Sequence, residues 1–137
     1  MDFYKSVRNE IAIGDASPSY INYPSQFKKI KEYLNDPKVI IILRDPIDRA
    51  YSNYLHLKRE QRETLTFKEA ISAEDERKTN KYSDFWYYKF NSTYYDKIIK
   101  VKETFSNVLI LTSEELSNNG DATLKKVYKF ADVKKAF

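Results

Sequence analysis

One stretch constrains the fold more than any other: Lys38-Val-Ile-Ile-Ile-Leu-Arg-Asp-Pro-Ile-Asp-Arg-Ala-Tyr-Ser-Asn-Tyr54, which turns from an apolar run into a capped helix at one charged junction. Val39 to Leu43 is an unbroken run of β-branched residues and leucine. Such a run reads as a strand covered on both faces, as in the parallel sheets of α/β proteins. It is far too short to span a membrane. Beyond Arg44, Asp45 stands as a helix N-cap and Pro46 takes the first helical position, where a missing N–H costs nothing. A helix is predicted from about Pro46. Ile47, Ala50, Tyr51, Tyr54 and Leu55, with the stem of Lys58, follow 3.6-residue spacing and predict the face that packs on the sheet.

This geometry would aim Arg44, Arg49 and Ser52 at one crevice outside the strand's carboxyl end. Open α/β sheets bind ligands there, and a helix N-terminus with an arginine and a hydroxyl suits a phosphate. The same residues also fit an ordinary surface charge after a buried strand. Pattern alone leaves both readings open.

The rest of the chain fits an α/β plan. Glu10 to Gly14 reads as a strand and Asp15 to Ser19 as the loop after it. A helix from Tyr23-Pro24-Ser25 to about Leu34, with Phe27, Ile30, Tyr33 and Leu34 inward, would complete a βαβ unit with the strand at Val39. Lys58 to Glu63 reads as a solvated charge run and residues 73–81 as an exposed excursion. Thr66 and Glu69 have capping-box spacing. Tyr82, Phe85, Trp86, Tyr87, Tyr88, Phe90, Tyr94 and Tyr95 form either a packed cluster or a stacking platform for a base or sugar, core packing being the commoner use. Asn107 to Thr112 reads as a further buried strand. After a turn, Asp121 is expected to cap a last helix with Leu124, Val127, Tyr128 and Phe130 inward. The predicted fold is therefore α/β, one domain over residues 1–137, with parallel strands at about 10–14, 38–43 and 107–112 and helices on both faces.

Composition excludes several functions. The 137 residues are 42% hydrophobic and 32% charged, which suits one globular domain rather than a disordered chain. With no cysteine, a disulfide scaffold and a thiolate nucleophile are excluded, and with a single histidine besides, a zinc site is not expected. No apolar leader or membrane-length run is present, so a cytoplasmic location is expected and a membrane partner is not. The net charge of +4 favours an anionic ligand. No nucleic-acid motif accompanies it, so nucleic acid is not an expected partner.

Leu43-Arg44-Asp45-Pro46-x-x-Arg49-x-x-Ser52-x-Tyr54 resembles the 3′-phosphate-binding motif of sulfotransferases that use 3′-phosphoadenosine 5′-phosphosulfate (PAPS). The resemblance is greatest to the heparan sulfate group, the N-deacetylase/N-sulfotransferases and 3-O-sulfotransferases, and to their bacterial relatives. Gly14-Asp-Ala-Ser-Pro-Ser-Tyr20 is similar to an upstream segment of that family. Ser92-Thr-Tyr94 is similar to the start of its long helix, and Val108 to Leu116 with Thr123 to Val133 to its late strand and helix. By this resemblance Arg44 and Ser52 would hold the 3′-phosphate of PAPS or of adenosine 3′,5′-bisphosphate, with Arg49 a weaker candidate. His56 and Asp15 would lie toward the acceptor.

The family's glycine-rich loop, with the Lys and Thr that cradle the 5′-phosphosulfate, has no counterpart here, nor has its catalytic base. The resemblance therefore implies the central and C-terminal part of a sulfotransferase domain. Its catalytic residues are unassigned, and the chain alone is not expected to be competent. It implies transfer of a sulfuryl group to a hydroxyl or amine, with a carbohydrate as the expected acceptor. A non-catalytic nucleotide-binding or assembly module on the same scaffold is the alternative. An unpaired apolar sheet edge would favour self-association.

Overall fold

The computed structural model describes residues 7–133. Short 3-10 turns at Tyr20–Asn22 and Pro24–Gln26 lead into α1 (Phe27–Tyr33), followed by strand β1 (Val39–Leu43) and the long helix α2 (Pro46–Arg59). Then come α3 (Phe67–Ser72), α4 (Glu74–Thr79), a 3-10 turn at Asp84–Trp86, α5 (Tyr88–Ser92), α6 (Tyr95–Thr104), β2 (Val108–Thr112), α7 (Ser113–Asn118) and α8 (Gly120–Ala131). β1 and β2 pair in parallel, with Val39 opposite Val108 and Leu43 opposite Thr112. Both strands therefore end at the same edge, and the chain between them crosses over through five helices.

The junction at the end of β1 forms as its sequence requires. The Asp45 carboxylate accepts from the backbone N–H of Ile47 and Asp48 at 2.9 and 3.0 Å, and Pro46 begins the helix. The capping boxes at Thr66/Glu69 and Thr112/Glu115 are both complete.

Two apolar clusters hold the fold. Phe27, Val101 and Phe105 bring α1 and α6 against Val39 and Ile41 on one face of the sheet. Ala50, Tyr54, Leu57, Ala70 and Tyr88 join α2, α3 and α5 in the other. The two differ in what they anchor, the sheet in one case and the long helix in the other.

Several expectations are corrected. Residues 10–14 form no strand; Ile11 and Ile13 are exposed, and no neighbouring strand is there to accept them, so the proposed βαβ unit is absent among the described residues. β1 is not covered on both faces: α7 and α8 pack on β2, where Leu111 is buried, while Ile40 and Ile42 beside it stay exposed. The inward stripe of α2 is Ala50, Tyr54 and Leu57, whereas Ile47, Tyr51 and Leu55 face outward, because α2 packs chiefly on α5 and not on the sheet. Tyr33 and Leu34 are exposed, since α1 meets α6 only through its earlier turns. Asp121 lies inside the first turn of α8; Asn119 holds the cap position without a side-chain hydrogen bond.

The two segments read as solvated charge also bury charged groups. Glu63 and Arg77 form a bidentate pair at 2.7 and 3.0 Å, and the Tyr88 hydroxyl donates to the same carboxylate at 2.7 Å. Glu74 turns inward to accept from the backbone N–H of Lys89 and Phe90 at the start of α5. A charged side chain is tolerated inside where its hydrogen-bonding capacity is met, which composition cannot reveal.

Candidate anion-binding site

At the carboxyl end of β1 a cavity of about 550 Å³ runs along α2. Residues of four successive turns of this helix reach it, because positions three and four apart share a helix face. Arg49, Ser52, Asn53, His56 and Arg59 line it from α2 and Arg44 from the junction, while Ser19 and Asn22 close one side and Asp84, Phe85 and Asn91 another. The sequence candidates Arg44, Arg49, Ser52 and His56 thus share one cavity. Asp15 does not line it; the Tyr20 hydroxyl donates to its carboxylate instead.

The walls are strongly positive. Three arginines face the cavity against a single carboxylate, Asp84. Arg44 is half exposed and lies 3.7 Å from Asp48, a loose surface pair that leaves most of its donors available. Arg49 is different in kind. Its Nη1 is buried without a hydrogen-bond partner. Burial lowers its pKa, against the pull of Tyr94 and Asp84, yet a guanidinium remains charged. An arginine donor desolvated and unpaired beside a cavity is what an incoming phosphate oxygen would complete.

His56 is engaged at both ring nitrogens. Arg59 Nη2 lies 3.0 Å from Nδ1 and Glu60 Oε1 lies 3.1 Å from Nε2. A guanidinium only donates, so Nδ1 accepts, and the ring proton sits on Nε2 toward Glu60. Both ring nitrogens of His56 are thus engaged by residues at the C-terminal end of α2.

Behind the cavity lies a polar layer the sequence reading missed. Asn22 Nδ2 donates to Asn91 Oδ1 at 2.8 Å and to Asp84 Oδ2 at 3.2 Å, and Asn91 Nδ2 donates to the Asp84 carbonyl at 2.6 Å. Lys97 Nζ donates to Asn22 Oδ1 at 2.9 Å. Spacing carried a signal for Lys97: it is one helical turn before Val101, on the buried stripe of α6. Phe85 is half exposed on the cavity wall, while Tyr88 is fully buried, so the aromatic segment divides between wall and core. Among the described residues no cluster of metal-ligating side chains occurs.

The fold and the cavity define an α/β protein with an arginine-lined cavity where β1 passes into α2. Residues 3–136 match the model of the sulfotransferase family, and the chain belongs to that family. A solved sulfotransferase from Alicyclobacillus acidocaldarius matches with a TM-score of 0.93 and 33% identity, over 98% of this chain and 55% of that one. The "Membrane-associated sulfotransferase kil1" of Dictyostelium discoideum is 41% identical over 51 residues, which is 37% of this chain and 11% of that protein. The chain therefore spans about half the length of its structural relative and a small part of the curated one. No helix among the described residues is long and apolar enough to cross a membrane.

Proposed function

We propose that the cavity along α2 positions the 3′-phosphate of PAPS, and that the protein serves sulfuryl transfer from PAPS to a hydroxyl or amine of a carbohydrate. The observation that carries this reading is the convergence of Arg44, Arg49 and Ser52 on one cavity, with Arg49 Nη1 buried and unpartnered. The residues fit the group: two guanidiniums and a hydroxyl supply the donors a dianionic phosphate needs, and the end of β1 with the start of α2 fixes their spacing. PAPS, when bound, supplies the sulfuryl group and a bisphosphate leaving group.

Each residue then has a distinct task. Arg44 and Ser52 hold the phosphate from the mouth of the helix, and Arg49 holds it from the buried side. Phe85 and Leu55 give an apolar wall for a ring. His56, locked by Arg59 and Glu60, orients polar groups toward the acceptor and does not abstract its proton. Asp15 shapes the loop before the first 3-10 turn through its bond with Tyr20. The resemblance of the Arg44–Tyr54 motif, with His56 one turn beyond Ser52, to the heparan sulfate group supports the choice of a carbohydrate acceptor.

Protein-observed NMR with adenosine 3′,5′-bisphosphate tests this directly. The reading expects the largest shifts at Arg44, Arg49 and Ser52. Shifts confined to other surfaces, or none at millimolar nucleotide, would overturn it.

A further inference from the structure

Lys97 is more than nine-tenths buried on α6 and has no carboxylate bonded to its ammonium. Its Nζ donates to Asn22 Oδ1 and to the Phe90 carbonyl, and sits 3.9 Å from the centre of the Phe90 ring. All three partners are neutral. The charged groups around it come from three other elements: Arg49 on α2, Glu74 and Lys78 on α4, and Asp84 in the 3-10 turn before α5. Glu74 is already taken by Lys78 at 2.8 Å and by the backbone of α5. Asp84 alone remains to balance the buried Lys97 and the half-buried Arg49.

We propose that Lys97 is a positioning residue for the anion site: Lys97 behind the Asn22–Asn91 wall and Arg49 on the cavity side leave a net positive charge, which a bound phosphate neutralises while Lys97 takes up a proton. This rests on the phosphate reading of the cavity and adds a residue and a proton linkage to it. Lys97 acts through Asn22, whose carboxamide it holds in the orientation that bonds Asn91 and Asp84.

The energetics point the same way. Burial first, and the nearby Arg49 guanidinium second, push the Lys97 ammonium down to about 8 from its ordinary 10.5. In the free protein near pH 8.5 a large share of Lys97 is therefore neutral. A dianion bound against Arg49 favours the charged form and raises the lysine's pKa again. By linkage, whatever raises the pKa on binding must bind more tightly where the proton is present. Phosphate itself is fully ionised above about pH 7.5, so the change between pH 7.5 and 10 belongs to the protein.

Two measurements separate this proposal from the phosphate reading. Lysine side-chain NMR on the free protein reads Lys97 without any ligand: a midpoint near 8 is expected, and an ordinary lysine midpoint overturns the proposal. Calorimetry with adenosine 3′,5′-bisphosphate in buffers of different ionisation enthalpy then reads the linkage. The expected result is net proton uptake at pH 8.5 and an affinity about tenfold weaker at pH 10 than at pH 7, as a ligand-induced rise of about one pKa unit requires. Lys97→Met should bind weakly at every pH with no proton uptake. Lys97→Arg should keep the affinity seen at pH 7 and lose the pH dependence, which a merely structural role would not produce. Binding that is flat with pH in the wild type, or equally pH-dependent in Lys97→Met, overturns the proposal and leaves the phosphate reading intact. Absence of nucleotide binding at pH 7 overturns both.

Discussion

Two charged groupings, Glu63–Arg77 and Arg49–Lys97, are built on opposite principles. In the Glu63–Arg77 pair every strong demand is met: the guanidinium forks onto both carboxylate oxygens, Tyr88 adds a third bond, and the Leu65 N–H a fourth. In the Arg49–Lys97 grouping the cations outnumber the free carboxylates, and one guanidinium nitrogen has no partner at all. Desolvation opposes charge in both places. The first compensates it within the fold and so serves the fold. The second leaves it uncompensated beside a cavity, which is the arrangement a ligand completes.

Breaking each grouping should therefore have different consequences. The largest effect expected is on stability, from Glu63→Ala, which strands a buried guanidinium: about 3–5 kcal/mol by chemical denaturation. Replacing both Glu63 and Arg77 by apolar residues should restore much of that, and a double replacement as harmful as the single one would contradict the pairing argument. Arg49→Ala should leave stability unchanged or raised, because it removes a desolvated cation, while weakening nucleotide binding by about 1.5–3 kcal/mol. A large stability loss from Arg49→Ala would place it with the structural pair. Ser52→Ala, which removes one neutral donor, should weaken binding by about 0.5–1.5 kcal/mol.

The smallest effects lie in the pH dependence of stability, and their signs differ. Arg77 and Tyr88 hold the Glu63 carboxyl below the usual carboxylate range despite its burial. That contribution is present above the unfolded carboxylate pKa and is lost as pH falls through the lower folded value. Lys97 is the reverse: the unfolded chain holds its proton up to about 10.5 and the folded protein only to about 8, so stability should rise with pH across that interval. Lys97→Met should flatten the alkaline rise and leave the acid limb untouched, as thermal melts across pH would show.

That Arg44, Arg49 and Ser52 share one cavity was legible because they are local in sequence. Asp45, Pro46, Arg44, Arg49 and Ser52 lie on one strand–helix junction, where capping chemistry and helical spacing fix what shares a face. The pairing of β1 with β2 was likewise readable from two apolar runs. Side-chain partners brought from a distance were not. Asn22, Asp84, Asn91 and Lys97 meet across as many as 75 residues, and no local pattern marks an asparagine as a wall of a cavity. The strand expected at 10–14 does not form for a related reason: a short apolar run closed by glycine describes what a segment can do once a neighbouring strand is present. The α2 stripe was misplaced because periodicity gives the width of an apolar face, whereas the partner that covers it, here α5, selects which residues turn inward.

The central claim is that Arg44, Arg49 and Ser52 form a site for a 3′-phosphate. Its most direct test is calorimetric titration of adenosine 3′,5′-bisphosphate and of adenosine 5′-phosphate into the wild type and Arg44→Ala. The account predicts tighter binding of the bisphosphate, with a loss of about 1.5–3 kcal/mol on Arg44→Ala that falls on the bisphosphate alone. Equal binding of the two nucleotides, unaffected by Arg44→Ala, would contradict it.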